Sequence, residues 1–323
     1  MRSMTPIKIA LIGECMIELQ ETEPGNTKQT FGGDTLNTAI YCARLARELP
    51  LHVDYVTALG QDNFSTKMIS FWEQEGVGSS LVQRCQDELP GLYYIELDNH
   101  GERIFHYWRS AAAARKCFEY PGSETVLEKL AEYDAIYLSG ISLAILTEKS
   151  RTALLDRWKQ LAEAGTAIYF DCNYRPHLWP SASHATHAYQ QVYSLSKIVF
   201  LTSEEALALL NGARGEQAHK VLQDLGAEEI VLKDGEKPCT ISVNGTLSVV
   251  DACQGTRVID TTAAGDSFSA AYLVSRCFGC SPYESATLAH RAAAYVIGHK
   301  GAVAPLDQMP ISGKDILNCS NKT

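Results

Sequence analysis

The sequence predicts an α/β protein: a three-layer α/β/α sandwich around a mostly parallel central sheet, with a small second β-sheet projecting from it. Three observations carry this reading. Short apolar runs of strand length alternate with amphipathic helical stretches through most of the 323 residues, the pattern of strands joined by crossover helices and covered on both faces. The alternation breaks near residues 92–108, where two strand-like runs follow each other with only a turn between them. A composition of 46% hydrophobic and 20% charged residues suits a chain with a large buried core.

Residues 7–13 are an apolar run interrupted only by Lys8, read as a buried strand. Residues 34–49 follow a helical period, with Leu36, Ile40, Ala43 and Leu45 on the apolar side. A strand at 53–59 and a helix at 64–75, stopped by Gly76, complete the first unit. The middle repeats the theme: strand 135–139, helix 148–164, strand 167–171, a helix near 186–195, strand 198–202, helices 203–210 and 215–225, and strand 229–233. A β-meander through 240–250 and two long helices, 265–278 and 283–298, close the chain. The hairpin 92–97/103–108, with the turn signal Asp98-Asn99-His100-Gly101, has no crossover helix and does not belong in the central layer. With the chain near 16–31 it forms the projecting sheet. It carries Tyr93, Tyr94, Tyr107, Trp108 and Arg109, aromatics and one arginine suited to stacking on a sugar and pairing with an anion. No linker, repeat or low-complexity segment divides the chain, so one main domain over 1–323 is expected, with the small sheet drawn from about 16–31 and 91–109.

The formal net charge is −10, from 28 basic and 38 acidic residues. Such a surface argues against nucleic acid or an anionic membrane as partner. No run reaches the length of a membrane span and the N-terminus enters a strand almost at once, so a cytoplasmic protein is expected. The ten cysteines are scattered. Cys277 and Cys280 form a lone C-x-x-C near the end of a helix, whereas a redox pair needs a helix start to lower its thiol pKa; the structural reading is favoured.

Residues 260–268 read Asp-Thr-Thr-Ala-Ala-Gly-Asp-Ser-Phe ahead of a long helix. Small residues let backbone N–H groups approach a phosphate, and the helix start adds its positive dipole end. Asp266, in the first turn, is placed to take a proton from an attacking hydroxyl. Alone, the same residues would serve as well as a helix cap and a turn. A second element, Phe31-Gly32-Gly33-Asp34-Thr35-Leu36-Asn37, puts paired glycines before a helix that Asp34 or Thr35 can cap.

Together these runs resemble the two signatures of the ribokinase-like (PfkB) sugar kinases, whose C-terminal motif is usually Asp-Thr-x-Gly-Ala-Gly-Asp. The chain departs at Ala263, where the family commonly has glycine; the role needs only an N–H, so alanine is expected to serve with a negative φ. Longer stretches, 13–19, 89–95, 138–144 and 173–179, resemble the 2-keto-3-deoxygluconate kinase branch. That resemblance implies a ribokinase-like fold whose small sheet is a lid and dimer surface, ATP and Mg2+ as cofactors, and transfer of phosphate to the 6-hydroxyl of a sugar acid. It implies Asp266 as base, with Ala263, Ala264 and Gly265 supplying amides; Gly33, Asp34, Asn37, Tyr93, Tyr107 and Arg175 around the sugar; and Arg109 near its acid end. Two guanidinium forks make independent sense for a carboxylate substrate. Asn173, Lys233, Gly235 and Thr262 are implied on the nucleotide side, the last three through a Lys-x-Gly loop and the 260–266 turn. Glu205, in Thr202-Ser203-Glu204-Glu205 where the family has Asn-x-x-Glu, is implied near magnesium. Asp260 and Thr262 match positions that take a monovalent cation (K+) in some relatives. A fructokinase- or ribokinase-type enzyme is the alternative within the family. An NAD-dependent oxidoreductase would need G-x-G-x-x-G where Glu14-Cys15-Met16 stand, and no G-x-x-x-x-G-K-[ST] loop is present.

Overall fold

Successive residues of the first strand serve two different cores. Ile9 and Leu11 join one buried cluster and Ala10 and Ile12 the other, as the two-residue period of a strand requires when both its faces are covered. The computed structural model describes residues 6–23, 25–97 and 103–320. In chain order the elements are β1 (Ile7–Ile12), β2 (Met16–Glu23), β3 (Asn26–Gly32), α1 (Asp34–Ala46), β4 (Leu51–Gly60), α2 (Asn63–Gln74), β5 (Gly78–Cys85), β6 (Gly91–Leu97), β7 (Arg103–Trp108), α3 (Ser123–Lys129), β8 (Ala135–Ser139), α4 (Gly140–Ile145) and α5 (Glu148–Glu163). There follow β9 (Ala167–Asp171), α6 (Ala182–Tyr193), β10 (Ile198–Thr202), α7 (Ser203–Leu209), α8 (Gly215–Asp224), β11 (Glu229–Lys233), β12 (Cys239–Val243), β13 (Thr246–Val250), α9 (Ala264–Cys277), α10 (Pro282–Ile297) and α11 (Gly313–Ser320).

The large sheet has the order β13-β12-β11-β10-β9-β8-β1-β4-β5. It is parallel from β5 to β11 and antiparallel only where β12 and β13 are added. Helices α1, α2, α9, α10 and α11 bury their apolar sides in the first cluster, and α3 to α8 in the second, giving the expected three layers. The chain builds outward from β1 in both directions, through β4 on one side and β8 on the other. The crevice outside the carboxyl ends of β1 and β8 is therefore the switch point where ligands of open α/β sheets bind. The small sheet, order β3-β2-β6-β7, stands at this end; β6 and β7 pair antiparallel with Tyr93 opposite Tyr107, as the hairpin pattern predicted. The expected turn at 98–101 lies outside the described residues. Among the described residues no helix is long and apolar enough to cross a membrane.

The departures have local causes. Helix α1 stops at Ala46 rather than 49, in keeping with Pro50, which disfavours the helical region for the residue before it. Helix α6 begins at Ala182, earlier than expected, because the Ser181 side chain accepts from the His184 amide and caps it. Strand β5 escaped the sequence pattern: it is the sheet's edge, and only Leu81 and Cys85 of its eight residues are buried.

Candidate active site

The start of α1 is fixed by a close approach. A Cβ on Gly33, the residue before the helix, would lie 2.2 Å from the Glu14 carbonyl oxygen, so only glycine lets α1 begin against the chain leaving β1. That places Asp34 and Asn37 at the mouth of the crevice. Asn37 Nδ2 donates to Asp266 Oδ2 at 2.8 Å. Asn173 Nδ2, from the loop after β9, donates to Asp34 Oδ2 at 2.7 Å. Two amide–carboxylate contacts thus join α1 to α9 and to the loop that carries Arg175. Asn37 Oδ1 is buried with no hydrogen-bond donor among the described residues.

Asp266 sits in the first turn of α9. Burial pushes its pKa up to about 8; the Asp34 carboxylate adds to the rise and so does Asp171, while the Asn37 hydrogen bond and the Lys233 ammonium oppose it. A carboxylate with that affinity for protons is poised as a base near neutral pH. The turn ahead of it corrects an expectation. Ala263 does not adopt a negative φ: at φ 59°, ψ 14° it is left-handed, the conformation glycine takes without penalty. The Ala264 amide donates to the Thr261 carbonyl at 3.2 Å, so it is partly committed, and the anion-binding capacity of the turn rests mainly on its neighbours. Asp260 organises the same turn, accepting from the Thr262 amide at 3.0 Å, the Thr262 hydroxyl at 2.7 Å and the Gly301 amide at 2.7 Å.

Behind the turn lies a buried polar group that the sequence reading overlooked in part. Asp171, ending β9, accepts from Lys233 Nζ at 2.9 Å and from Ser269 Oγ, one helical turn beyond Asp266, at 2.7 Å. Burial pulls the Lys233 ammonium down, but the carboxylates of Asp171 and Glu205 outweigh it and hold its pKa above the usual lysine value. The ammonium lies 3.7 Å from where a Cβ of Gly265 would stand, directly beside the anion turn. A lone acid closing an otherwise apolar strand was the available signal for Asp171. Glu205 is the third member: Oε1 accepts from the Tyr174 amide at 2.7 Å and Oε2 from the Thr202 amide at 2.8 Å, completing a capping box for α7. Gly235, at φ +60°, opens an exposed turn that Lys237 and Asp234 close with a 3.1 Å ion pair.

The small sheet covers the other side. Arg175 is exposed, and its Nη1 donates to the neighbouring Tyr174 carbonyl at 3.0 Å. The Arg109 guanidinium lies 5.9 Å from the Tyr107 ring centre. Burial raises the Tyr107 pKa, and the positive charges of Arg109 and Arg175 pull against that rise. The Tyr107 ring lies 6.4 Å from that of His177, so the sheet touches the loop carrying Arg175. Tyr93 is nearly buried, its hydroxyl donating to Glu18 beneath Gly32, which leaves its ring edge rather than its hydroxyl for a ligand. Glu18 is a second residue the sequence reading missed. The cysteine pair is as expected: burial pushes the Cys277 and Cys280 thiols up to about 11 and about 12, the reverse of a redox pair.

Among the described residues no cluster of three or more His, Cys, Asp or Glu could hold a metal by itself. Both Glu205 oxygens already accept backbone N–H groups, so Glu205 fits a metal's bound water better than the metal. This suits Mg2+, which keeps several waters and commonly relies on substrate phosphates for the rest of its shell.

A helix-start turn and a high-pKa carboxylate at a parallel-sheet switch point, faced by a small aromatic sheet, suit phosphoryl transfer on an α/β scaffold. The chain belongs to the pfkB family of carbohydrate kinases, whose model it matches over residues 6–309. It is 45% identical over 310 residues to a 2-dehydro-3-deoxygluconokinase of Dickeya dadantii (strain 3937), covering 95% of this chain and all of that one. It is 46% identical over 307 residues to the enzyme of that name from Escherichia coli (strain K12), covering 94% of this chain and 99% of its relative. In three dimensions it resembles a 2-dehydro-3-deoxygluconokinase from Thermotoga maritima with a TM-score of 0.83 at 19% identity, covering 98% and 99% of the two chains.

Proposed function

We propose that this chain is an ATP-dependent sugar-acid kinase that phosphorylates the 6-hydroxyl of 2-keto-3-deoxygluconate (2-dehydro-3-deoxygluconate), giving the 6-phosphate and ADP. The observation that carries the reading is the joining of Asp266, through Asn37, Asp34 and Asn173, to the loop that carries Arg175, with Arg109 following the last strand of the small sheet. A base and two guanidiniums then bracket one cleft. A neutral sugar has no use for the guanidiniums, whereas a carboxylate matches their forks. The relatives' shared name points to the same substrate.

In this reading the sugar acid lies between α1 and the small sheet, which acts as its lid. Arg109 and Arg175 hold the carboxylate, Tyr93 and Tyr107 flank the chain of the sugar, and Gly33, Asp34 and the donor-free Asn37 Oδ1 meet its hydroxyls. Asp266 takes the proton of the 6-hydroxyl as that oxygen attacks the terminal phosphorus of ATP. The amides of Ala263, Gly265 and Asp266, with a weaker share from Ala264, stabilise the charge on the moving phosphoryl group; oriented donors of this kind contribute about 3 kcal/mol each. The Lys233 ammonium adds positive charge beside them, and Gly235 and Thr262 border the nucleotide. Asn173 supports the substrate loop through Asp34. Glu205 would meet a water of the magnesium ion bound with ATP, and that ion would supply positive charge to the phosphates. Closure of the lid excludes water and suppresses idle ATP hydrolysis.

One main unit with its lid is the domain organisation this reading takes, and use of ATP suits a place in the cytoplasm. The lid's open edges suit a dimer through that sheet, and a monomer in sedimentation at working concentration would count against it. A potassium ion beside Asp260 is the remaining element, and turnover indifferent to potassium would remove it. The activity itself is tested by assaying ATP consumption on 2-keto-3-deoxygluconate, gluconate, fructose and ribose. The 2-keto-3-deoxy acid should lead by at least about tenfold in kcat/KM; equal or better use of fructose or ribose would overturn the reading.

A further inference from the structure

Among the described residues three largely buried arginines meet a glutamate, and one meets it differently. Arg44 grips Glu75 with two prongs, Nε to Oε2 at 2.7 Å and Nη2 to Oε1 at 2.9 Å. Arg276 grips Glu229 the same way, through Nε at 3.0 Å and Nη2 at 2.8 Å. These closed forks are the ordinary geometry of a structural arginine–carboxylate pair. Arg109 touches Glu14 through Nη2 alone, on Oε2. Its Nε and the second oxygen, Glu14 Oε1, are both buried and without a partner among the described residues. Leaving a buried charged group half-satisfied costs free energy, and such gaps gather where a ligand completes the bonding.

The position of the pair is as particular as its geometry. Glu14 lies in the short connection between β1 of the large sheet and β2 of the small one, 3% exposed. Arg109 directly follows β7, the last strand of the small sheet. Gly91, at the start of β6, makes the room: a Cβ there would stand 2.6 Å from Glu14 Oε1 and 3.2 Å from the Arg109 Cβ. Gly33 makes the rest, since its own Cβ would strike the Glu14 carbonyl. The Arg109 guanidinium also lies 5.9 Å from the Tyr107 ring centre. The guanidinium is thus held by a carboxylate at the root of the small sheet through one N–H group, with its other N–H groups not taken by that carboxylate.

We propose that Glu14 is the positioning residue of the acid subsite: from the root of the lid it fixes one corner of the Arg109 guanidinium and leaves the remaining N–H groups for the carboxylate of the sugar acid. This rests on the reading above that Arg109 serves the acid end of the substrate. An arginine free to swing would lose side-chain entropy on binding, and one already anchored loses less. A closed two-prong pair would be anchored but spent. The single-prong contact at Glu14 gives anchoring without consuming the fork.

The test is a set of variants in which the Michaelis constants for the sugar acid and for ATP are measured separately, with thermal melting as a check on folding. Glu14→Gln keeps the length of the side chain and one accepting oxygen, and should stay within about threefold of the parent KM for the acid. Glu14→Met keeps the length and removes the acceptor, and should raise that KM by about tenfold or more while the KM for ATP holds. Glu14→Asp keeps a carboxylate at the hinge but withdraws it by one methylene, and should also raise it several-fold. Arg109→Met separates the two claims: it should raise the KM for the acid, and adding Glu14→Met to it should raise it no further. If Arg109→Met leaves the acid's KM unchanged, the acid-subsite reading itself fails. If Arg109→Met raises it but Glu14→Met and Glu14→Asp stay within about twofold of the parent, or their effects add fully to that of Arg109→Met, the positioning role of Glu14 is wrong.

Discussion

In the proposed mechanism Asp266 must carry a negative charge where burial, Asp34 and Asp171 all resist it. Its raised affinity for protons has two readable consequences. The first concerns rate. The base must be ionised to act, so kcat/KM should climb with pH along an acid limb near pH 8, the pKa the site gives it. Asp34→Asn removes a negative neighbour, favours the ionised form and should move that limb to lower pH. A limb unmoved, or moved upward, would show that Asp34 does not act on the base. The second concerns stability. A carboxyl whose folded pKa exceeds its unfolded value favours folding while protonated, and that contribution fades as pH rises from about 4 through about 8. Asp266→Asn, which never ionises, should therefore melt higher than the parent at pH 9 and about level with it at pH 4, while losing on the order of 10²–10⁴ in turnover. Near-normal turnover in a folded Asp266→Asn protein would remove it as the base.

At the scale of elements, the start of α9 shows what a sequence does and does not disclose. The run 260–266 marked an anion turn opening a helix, and the helix starts at Ala264 as that reading requires. The backbone angle at Ala263 was not legible, because a single alanine says nothing about the sign of φ; the glycine usual at this place in relatives was the only hint. A left-handed alanine costs about 1–2 kcal/mol relative to its right-handed form. Ala263→Gly should relieve most of that, less what glycine gives back in unfolded-state entropy, and stabilise the protein by up to about 1 kcal/mol in urea unfolding. A loss of stability would mean that the turn is not strained. Strands flanked by helices were legible because their burial on both faces writes a continuous apolar run. Strand β5 was not, since an edge strand with alternate polar residues writes no such run, and neither were the short α3, α4 and α11. Candidate site residues with distinctive neighbours, such as Asp266 and Arg175, could be proposed from the sequence. Asp171, Glu14 and Glu18 were not assigned roles, because their meaning lies in partners 98, 95 and 75 positions away in the chain.

At the scale of the whole molecule, a surface with a net charge of −10 must receive an anionic sugar and a more anionic nucleotide. Long-range steering is therefore unfavourable, and local groups at the carboxyl ends of the strands have to reverse the field. In the proposed reading the fold divides this labour: the large sheet and α9 would bring Lys233 and the helix amides to the phosphate side, and the small sheet and the β9 loop would bring Arg109 and Arg175 to the acid side. Specificity for an acid is then a property of the assembled cleft rather than of any one element. The most direct test compares kcat/KM on the 2-keto-3-deoxy acid with that on fructose, in the parent and in Arg175→Met. The parent should favour the acid strongly, and the variant should lose at least about tenfold of that preference while its melting temperature and its KM for ATP hold. A preference unchanged by the loss of Arg175 would contradict the account.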